Sequence, residues 1–326
     1  MPPRLKLIVM ALALLALAAC ARQSGGRAQE LVISVRASDK AAAPAEAWAP
    51  FLTDMSKATG LKAQTFFGST DTAGIDALKF RQADLAWFDN AAGMEAVRRT
   101  GAEVFARASL TDGSDGYRVA LLVRKGSGLT LARILACDRS LALGLGEKTS
   151  SIETGAILTY LFGPRAVDPA TCFKSVRTAS GEANVYAVSA GVLDAAVAAT
   201  TTMTKVAEAE RATLANVETI WASPLIPDSP IVWRKDLDPA IKAKVAKFLF
   251  AYGTGEGQTA EQERANLRRI GLRGFVRTDD AHFLVPREMD AAERLRRARE
   301  RSDWAGAERA QGDLDAVAAE RAKRGG

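Results

Sequence analysis

Ten residues, Gly146-Glu-Lys-Thr-Ser-Ser-Ile-Glu-Thr-Gly155, set hydroxyls, three of them consecutive, between an apolar run and a helical stretch. Upstream, residues 140–145 read as a short buried strand. Downstream, residues 156–162 carry Leu158, Leu161 and Phe162 at core spacing, which predicts a helix. Thr149, Ser150 and Ser151 then stand at a helix N-terminus, where the first N–H groups lack intrahelical partners and the dipole is positive. A phosphate, phosphonate or sulfate is bound there by amides and hydroxyls together, with no lysine required. Hydroxyl residues are also the usual helix caps, so this spacing fits a cap as well as a cradle.

The elements around this segment alternate. Residues 62–67 read as a strand, 68–71 as a loop and 72–80 as a helix, a second place where hydroxyls (Ser69, Thr70) precede a helix. Residues 84–88 form another strand, ending in Asp89 and Asn90 before a helix over 92–99. A strand over 116–124 contains Tyr117. Later come a strand over 172–176, a helix over 184–189, and strands over 193–197 and 219–222. Residues 223–234 return the chain through an extended, proline-fixed segment, then a helix covers 239–252. Strands alternating with helices predict an α/β fold with ligand groups at the carboxyl ends of strands.

Arg4 and Lys6 precede an apolar run from Leu7 to Ala19, shorter than the roughly 20 residues of a membrane span. This predicts a signal peptide over 1–19. Leu-Ala-Ala-Cys20 resembles the lipobox of bacterial lipoproteins, so Cys20 is expected to carry lipid, with residues 20–29 as a tether. Of the 326 residues 48% are hydrophobic, enough for two lobes with cores of their own. The net charge of +6 gathers among alternating acids in residues 287–326, the pattern of a solvated helical tail rather than of a nucleic-acid surface. Beyond Cys20 only Cys137 and Cys172 remain; an exported compartment permits them to pair, and both stand beside strands of one predicted sheet. The single histidine, His282, lies in His-Phe-Leu-Val-Pro, which reads as structural. No triad, metal set or nucleotide fingerprint accompanies it, so no enzyme, metal or cofactor is expected.

Phe67-Gly-Ser-Thr-Asp71, Asp84-Leu-Ala-Trp-Phe88, Met94-Glu-Ala-Val97, Asp112-Gly-Ser-Asp-Gly-Tyr117, Ile220-Trp-Ala-Ser-Pro-Leu-Ile-Pro227 and Pro230-Ile-Val-Trp-Arg-Lys235 occur in order. Together they resemble the substrate-binding proteins of phosphonate ABC transporters over residues 31–286. The resemblance implies an α/β, two-lobed periplasmic-binding-protein fold with two hinge crossovers, type II-like, clamping a tetrahedral anion. It implies lobe 1 at 30–123 plus 224–286 and lobe 2 at 124–223. Ser69, Thr70, Thr72 and Tyr117 in lobe 1, with Thr149, Ser150, Ser151 and Glu182 in lobe 2, are the expected ligand-binding residues.

The chain also departs from that pattern. Thr72 replaces a tyrosine, Ile152 a third hydroxyl, and Gly181 a histidine ahead of Glu182. Where aminoethylphosphonate receptors place two carboxylates around the ligand ammonium, this chain has Thr201 and Ser229, so the standard amino-group site is absent and aminoethylphosphonate is disfavoured unless Asp228, Asp89 or Glu153 replaces it. The expectation is a lipid-anchored monomer in the periplasm or cell envelope, delivering a small phosphonate or phosphate-like anion to an ABC permease. A sensory receptor, or a sulfate- or sulfonate-binding component, would use the same cleft chemistry.

Overall fold

The computed structural model describes residues 30–36, 45–110, 114, 116–147 and 151–324, with Ser151 described by its backbone alone. Cys20, the leader, the tether, Thr149 and Ser150 lie outside the described residues. The chain forms two compact units.

The first unit holds the residues up to Phe88, Ala96–Ala102 and Val232–Gly274. Its strands β1 (Glu30–Arg36), β2 (Lys62–Gly68) and β3 (Leu85–Trp87) pair in parallel, with β1 in the middle. Helices Ala45–Thr59 and Asp71–Lys79 supply the crossovers between them. Phe51 sits 5.4 Å from the ring of Phe248 and 5.2 Å from that of Tyr252, an aromatic cluster that fastens the Ala45–Thr59 helix to the Pro239–Ala251 helix. The phenol of Tyr252 donates to Asp54 at 2.7 Å and accepts from Asn266 at 3.0 Å, so the polar end of this cluster is satisfied.

The second unit holds Asp89–Glu95, Glu103–Ile231 and Phe275–Gly326. Strand β4 covers Glu103–Leu110, and β5 is the two-residue strand Gly116–Tyr117. The main sheet of this unit uses β6 (Val119–Arg124), β7 (Ala142–Gly146), β8 (Ser175–Ala179), β9 (Ala195–Ala199) and β10 (Val217–Ala222), in the order β10-β6-β9-β7-β8. Pairing is antiparallel at β10–β6 and β6–β9, and parallel at β9–β7 and β7–β8. The core strands read Val-Ala-Leu-Leu-Val and Ala-Ala-Val-Ala-Ala, buried on both faces as continuous apolar runs require. Asn184, on the Gly181–Ser189 helix, donates to the carbonyls of Leu145 (3.1 Å) and Val197 (2.9 Å), tying the end of β7 to the middle of β9 from inside the core.

Three local expectations are corrected. The strand expected over 116–124 is broken at Arg118: Gly116–Tyr117 pairs instead with β11 (Ile226–Pro227). Arg118 spends its backbone on Thr200 and its guanidinium on the Ser223 carbonyl at 2.7 Å. Cys172 ends a helical turn, Pro169–Cys172, rather than opening a strand, because Asp168 accepts from Ala170 N–H at 2.9 Å and Pro169 takes the first helical position. The strand expected over 193–197 begins two residues later, since Asp194 turns its carboxylate onto Ala142 N–H at 2.7 Å.

The charged C-terminal segment folds back on this unit. Helices Leu284–Glu300 and Trp304–Lys323 lie against each other, joined by ion pairs Arg287–Glu320 and Arg294–Asp313. Val285 and Met289 pack on the core that contains Ala156, Leu161 and Phe162. Beside them Glu288 accepts from Tyr160 (2.7 Å) and Arg321 (2.6 Å), so one carboxylate joins three helical segments.

Cys137 and Cys172 are joined by a disulfide closing a span of 35 residues. Chain-entropy reasoning for a loop of that length gives about 3–4 kcal/mol of stabilisation. The Cys137→Ser/Cys172→Ser double variant is therefore expected to unfold at lower denaturant by that amount, measured against the oxidised parent; equal midpoints would refute it.

Candidate functional site

Gly116 makes the site possible. With φ at +143° it adopts a backbone that side-chain-bearing residues rarely use, and a Cβ there would sit 2.2 Å from the Ile226 carbonyl oxygen. That close approach pairs β5 with β11 and brings Tyr117 beside the Pro227-Asp228-Ser229 turn. Asn90 fastens the turn from another direction, donating to the Pro227 carbonyl at 2.9 Å. Asp89 starts the Asn90–Thr100 helix by accepting from Ala92 N–H at 2.8 Å.

These residues line a pocket of about 350 Å³ within the second unit. Asp89, Asn90, Leu110 and Tyr117 form part of its wall, and Pro227, Asp228 and Ser229 another. Ile152, which follows β7, closes it with Thr201, Thr204, Lys205 and Glu208. The last four occupy positions i, i+3, i+4 and i+7 of the Thr200–Ala209 helix, so one helical face supplies them all. Ile152 and Thr201 enter just beyond the carboxyl ends of β7 and β9, where ligand groups gather in α/β sheets.

Among the described residues, three carboxylates (Asp89, Asp228, Glu208) and one ammonium (Lys205) share this lining. Asp228 is 3% exposed. Burial raises the Tyr117 phenol well above its usual range, and the negative charges of Asp228, Asp89 and Glu153 add to it, so Tyr117 stays protonated and able to donate. Behind the pocket, Glu153 is buried with one oxygen accepting from Ala199 N–H at 2.9 Å. Burial raises its carboxyl above the ordinary range, with nearby Glu147 adding to the shift. Among the described residues no group of three or more His, Cys, Asp and Glu is arranged to hold a metal ion.

The sequence candidates divide among several places. Tyr117 lines the pocket, and so do Thr201, Ser229, Asp228, Asp89 and Ile152. Ser69, Thr70 and Thr72 stand in the first unit at the start of the Asp71–Lys79 helix, which Thr70 caps by accepting from Ala73 N–H at 3.1 Å. Ser151 opens the Ser151–Ile157 helix, while Glu182 is exposed in the first turn of the Gly181–Ser189 helix. Thr204, Lys205 and Glu208 were not visible as site residues in the sequence; their i+3, i+4 and i+7 spacing from Thr201 was the available signal.

Residues 16–283 match the family described as ABC transporter, phosphonate, periplasmic substrate-binding protein. The chain belongs to this family. It is the periplasmic substrate-binding component of an ABC phosphonate transporter rather than an enzyme, and its fold class is that of the two-lobed α/β periplasmic binding proteins. This binding protein is 34% identical over 243 residues to the phosphonates-binding periplasmic protein of Escherichia coli strain K12, a span covering 74% of this chain and 70% of that one. A binding protein component of an ABC phosphonate transporter from Pseudomonas aeruginosa is 28% identical, with a TM-score of 0.59 over 91% of this chain and 99% of that one. A Prochlorococcus marinus protein in complex with methylphosphonate shares the fold at 16% identity, with a TM-score of 0.53 over 81% and 97% of the two chains.

One departure from the family pattern has a steric cause. A Cβ at residue 181 would lie 2.4 Å from Glu153 Oε1, and one at residue 146 would lie 2.9 Å from the same side chain. The Glu153 carboxylate occupies the space that a side chain at 181 would need. Gly181→Ala is expected to cost about 1–2 kcal/mol despite the better helix propensity of alanine. In a Glu153→Ala background the same change is expected to be neutral or stabilising; additive effects in denaturant unfolding would disprove the overlap.

Proposed function

We propose that this protein captures a small phosphonate, or a related phosphorus oxyanion, and hands it to an ABC permease while anchored to the membrane by lipid on Cys20. Residues 30–123 plus 224–286 form one lobe and 124–223 the other, and the lobes close around the ligand. The observation that carries this reading is a pocket, within the second compact unit, lined by Tyr117 and Asp228 from one of those segments and by Ile152 and Thr201 from the other.

The charge balance of the pocket orients the ligand. A doubly charged phosphonate head is repelled by Asp89, Asp228 and Glu208; the hydroxyl segment Thr149-Ser150-Ser151, which precedes Ile152 in the chain, is its proposed partner. Its substituent then faces Asp89 and Asp228 and is a hydrogen-bond donor, an amine or a hydroxyl. An ammonium enclosed without a carboxylate loses several kcal/mol of hydration, and Thr201 and Ser229 offer none. Asp228, one residue before Ser229 and lining the same pocket, supplies the charge from a neighbouring position.

Calorimetric titration with phosphate, phosphite, methylphosphonate, 2-aminoethylphosphonate and sulfate tests this directly. The aminophosphonate is expected to bind more tightly than methylphosphonate, and Asp228→Asn to reduce that preference about tenfold or more. A preference for sulfate would overturn the phosphorus reading, and a preference indifferent to Asp228→Asn would overturn the assignment of the substituent.

Ser151→Ala separates binding from capping at the hydroxyl segment. Loss of a charge-assisted hydrogen bond worth about 1.5–3 kcal/mol weakens phosphonate binding roughly ten- to a hundredfold. A residue that only caps would lower ligand-free stability by about 1 kcal/mol and leave the dissociation constant alone.

A further inference from the structure

His282 lies in a single 3-10 turn, Asp280–Phe283, and is 5% exposed. Its Nε2 lies 2.8 Å from Asn90 Oδ1, while Asn90 Nδ2 donates to the Pro227 carbonyl at 2.9 Å. A backbone carbonyl can only accept, so the amide nitrogen must face Pro227 and the amide oxygen must face the imidazole. Nε2 therefore carries the ring hydrogen, and Nδ1, buried and without a hydrogen-bond partner, is the bare nitrogen. The ring is held edge-on to Phe283, with centroids 5.1 Å apart. Burial, with a further contribution from Arg107, lowers its pKa to about 4, consistent with a neutral ring at ordinary pH.

Asn90 and Pro227 both line the pocket, and they adjoin Asp89 and Asp228 in the chain. We infer that His282 is a positioning residue for ligand selection: by fixing the Asn90 amide it sets the Pro227-Asp228-Ser229 turn against Asp89, and so the spacing of the two carboxylates that face the ligand substituent. The inference rests on the phosphonate reading above. It gives the single histidine of the chain a role in specificity without any contact to ligand.

The experiment pairs His282→Phe, which keeps a ring and removes the donor, with His282→Gln, which keeps a donor. Full-length variants are titrated with methylphosphonate and 2-aminoethylphosphonate, and the ratio of the two dissociation constants is read. His282→Phe is expected to change that ratio roughly three- to tenfold, the range of one ordinary hydrogen bond, and His282→Gln to hold it within about twofold. Nitrogen NMR of the wild-type imidazole, which needs no variant to fold, is expected to show the Nε2–H tautomer. An unchanged ratio in His282→Phe, with only a lowered melting temperature, overturns the positioning role, as does an Nδ1–H tautomer. Wild-type protein that binds neither phosphonate overturns the functional reading and this role with it, an outcome distinct from binding whose ratio ignores His282.

Discussion

The contact between Gly116 and Ile226 is the constraint from which the pocket follows. Two strands of two residues each cannot hold together by hydrogen bonds alone, because so short a ladder does not offset the entropy of ordering it. They hold because the backbone closes to a distance that no Cβ would tolerate and because Arg118, next in the chain, is pinned to Thr200 and Ser223. Arg118 thereby lies between two ladders, and Tyr117 is fixed in the first of them, opposite Ile226. The turn after Pro227 then has one place to go, and Asn90 and His282 hold it there.

Electrostatics gives this arrangement its chemical character. Burying a carboxylate is costly unless the fold compensates it, yet Asp228 and Glu153 are both inside. Glu153 is compensated by the Ala199 N–H and by glycines at 146 and 181 that leave it room. A family whose members handle phosphonates has to attract an anion. In this chain the described part of the pocket is net acidic, so it suits the part of a ligand that is not the anion.

The C-terminal hairpin adds a second layer of support. Its Val285 and Met289 extend the apolar core under Ala156 and Leu161, and Glu288 reaches Tyr160, whose ionisation is suppressed first by burial and then by that carboxylate. The segment that begins at Ser151 is thus packed from below by residues far away in the chain. Alternating charge made residues 287–326 read as a solvated surface; the helices do present that surface, and their narrow apolar stripe of Ala291, Leu295 and Ala298 is buried.

The class of fold was legible in strands and helices alternating at regular intervals, and the family in six motifs in order. Through that resemblance the sequence also singled out Tyr117, Thr201 and Ser229 by position, with Asp89 and Asp228 as neighbouring carboxylates, because a motif carries its residues one at a time. Tertiary structure alone decided which of them share a pocket. Residues 116–124 read as one strand with no turn residue after Tyr117, so only the choice of pairing partner reveals the break at Arg118. The polar face of Thr201, Thr204, Lys205 and Glu208 has the spacing of any solvated helix, and only its placement opposite Tyr117 and Asp228 gives it a different meaning. The bond from His282 to Asn90 spans 192 residues, a separation at which local propensity carries no information and packing settles the outcome.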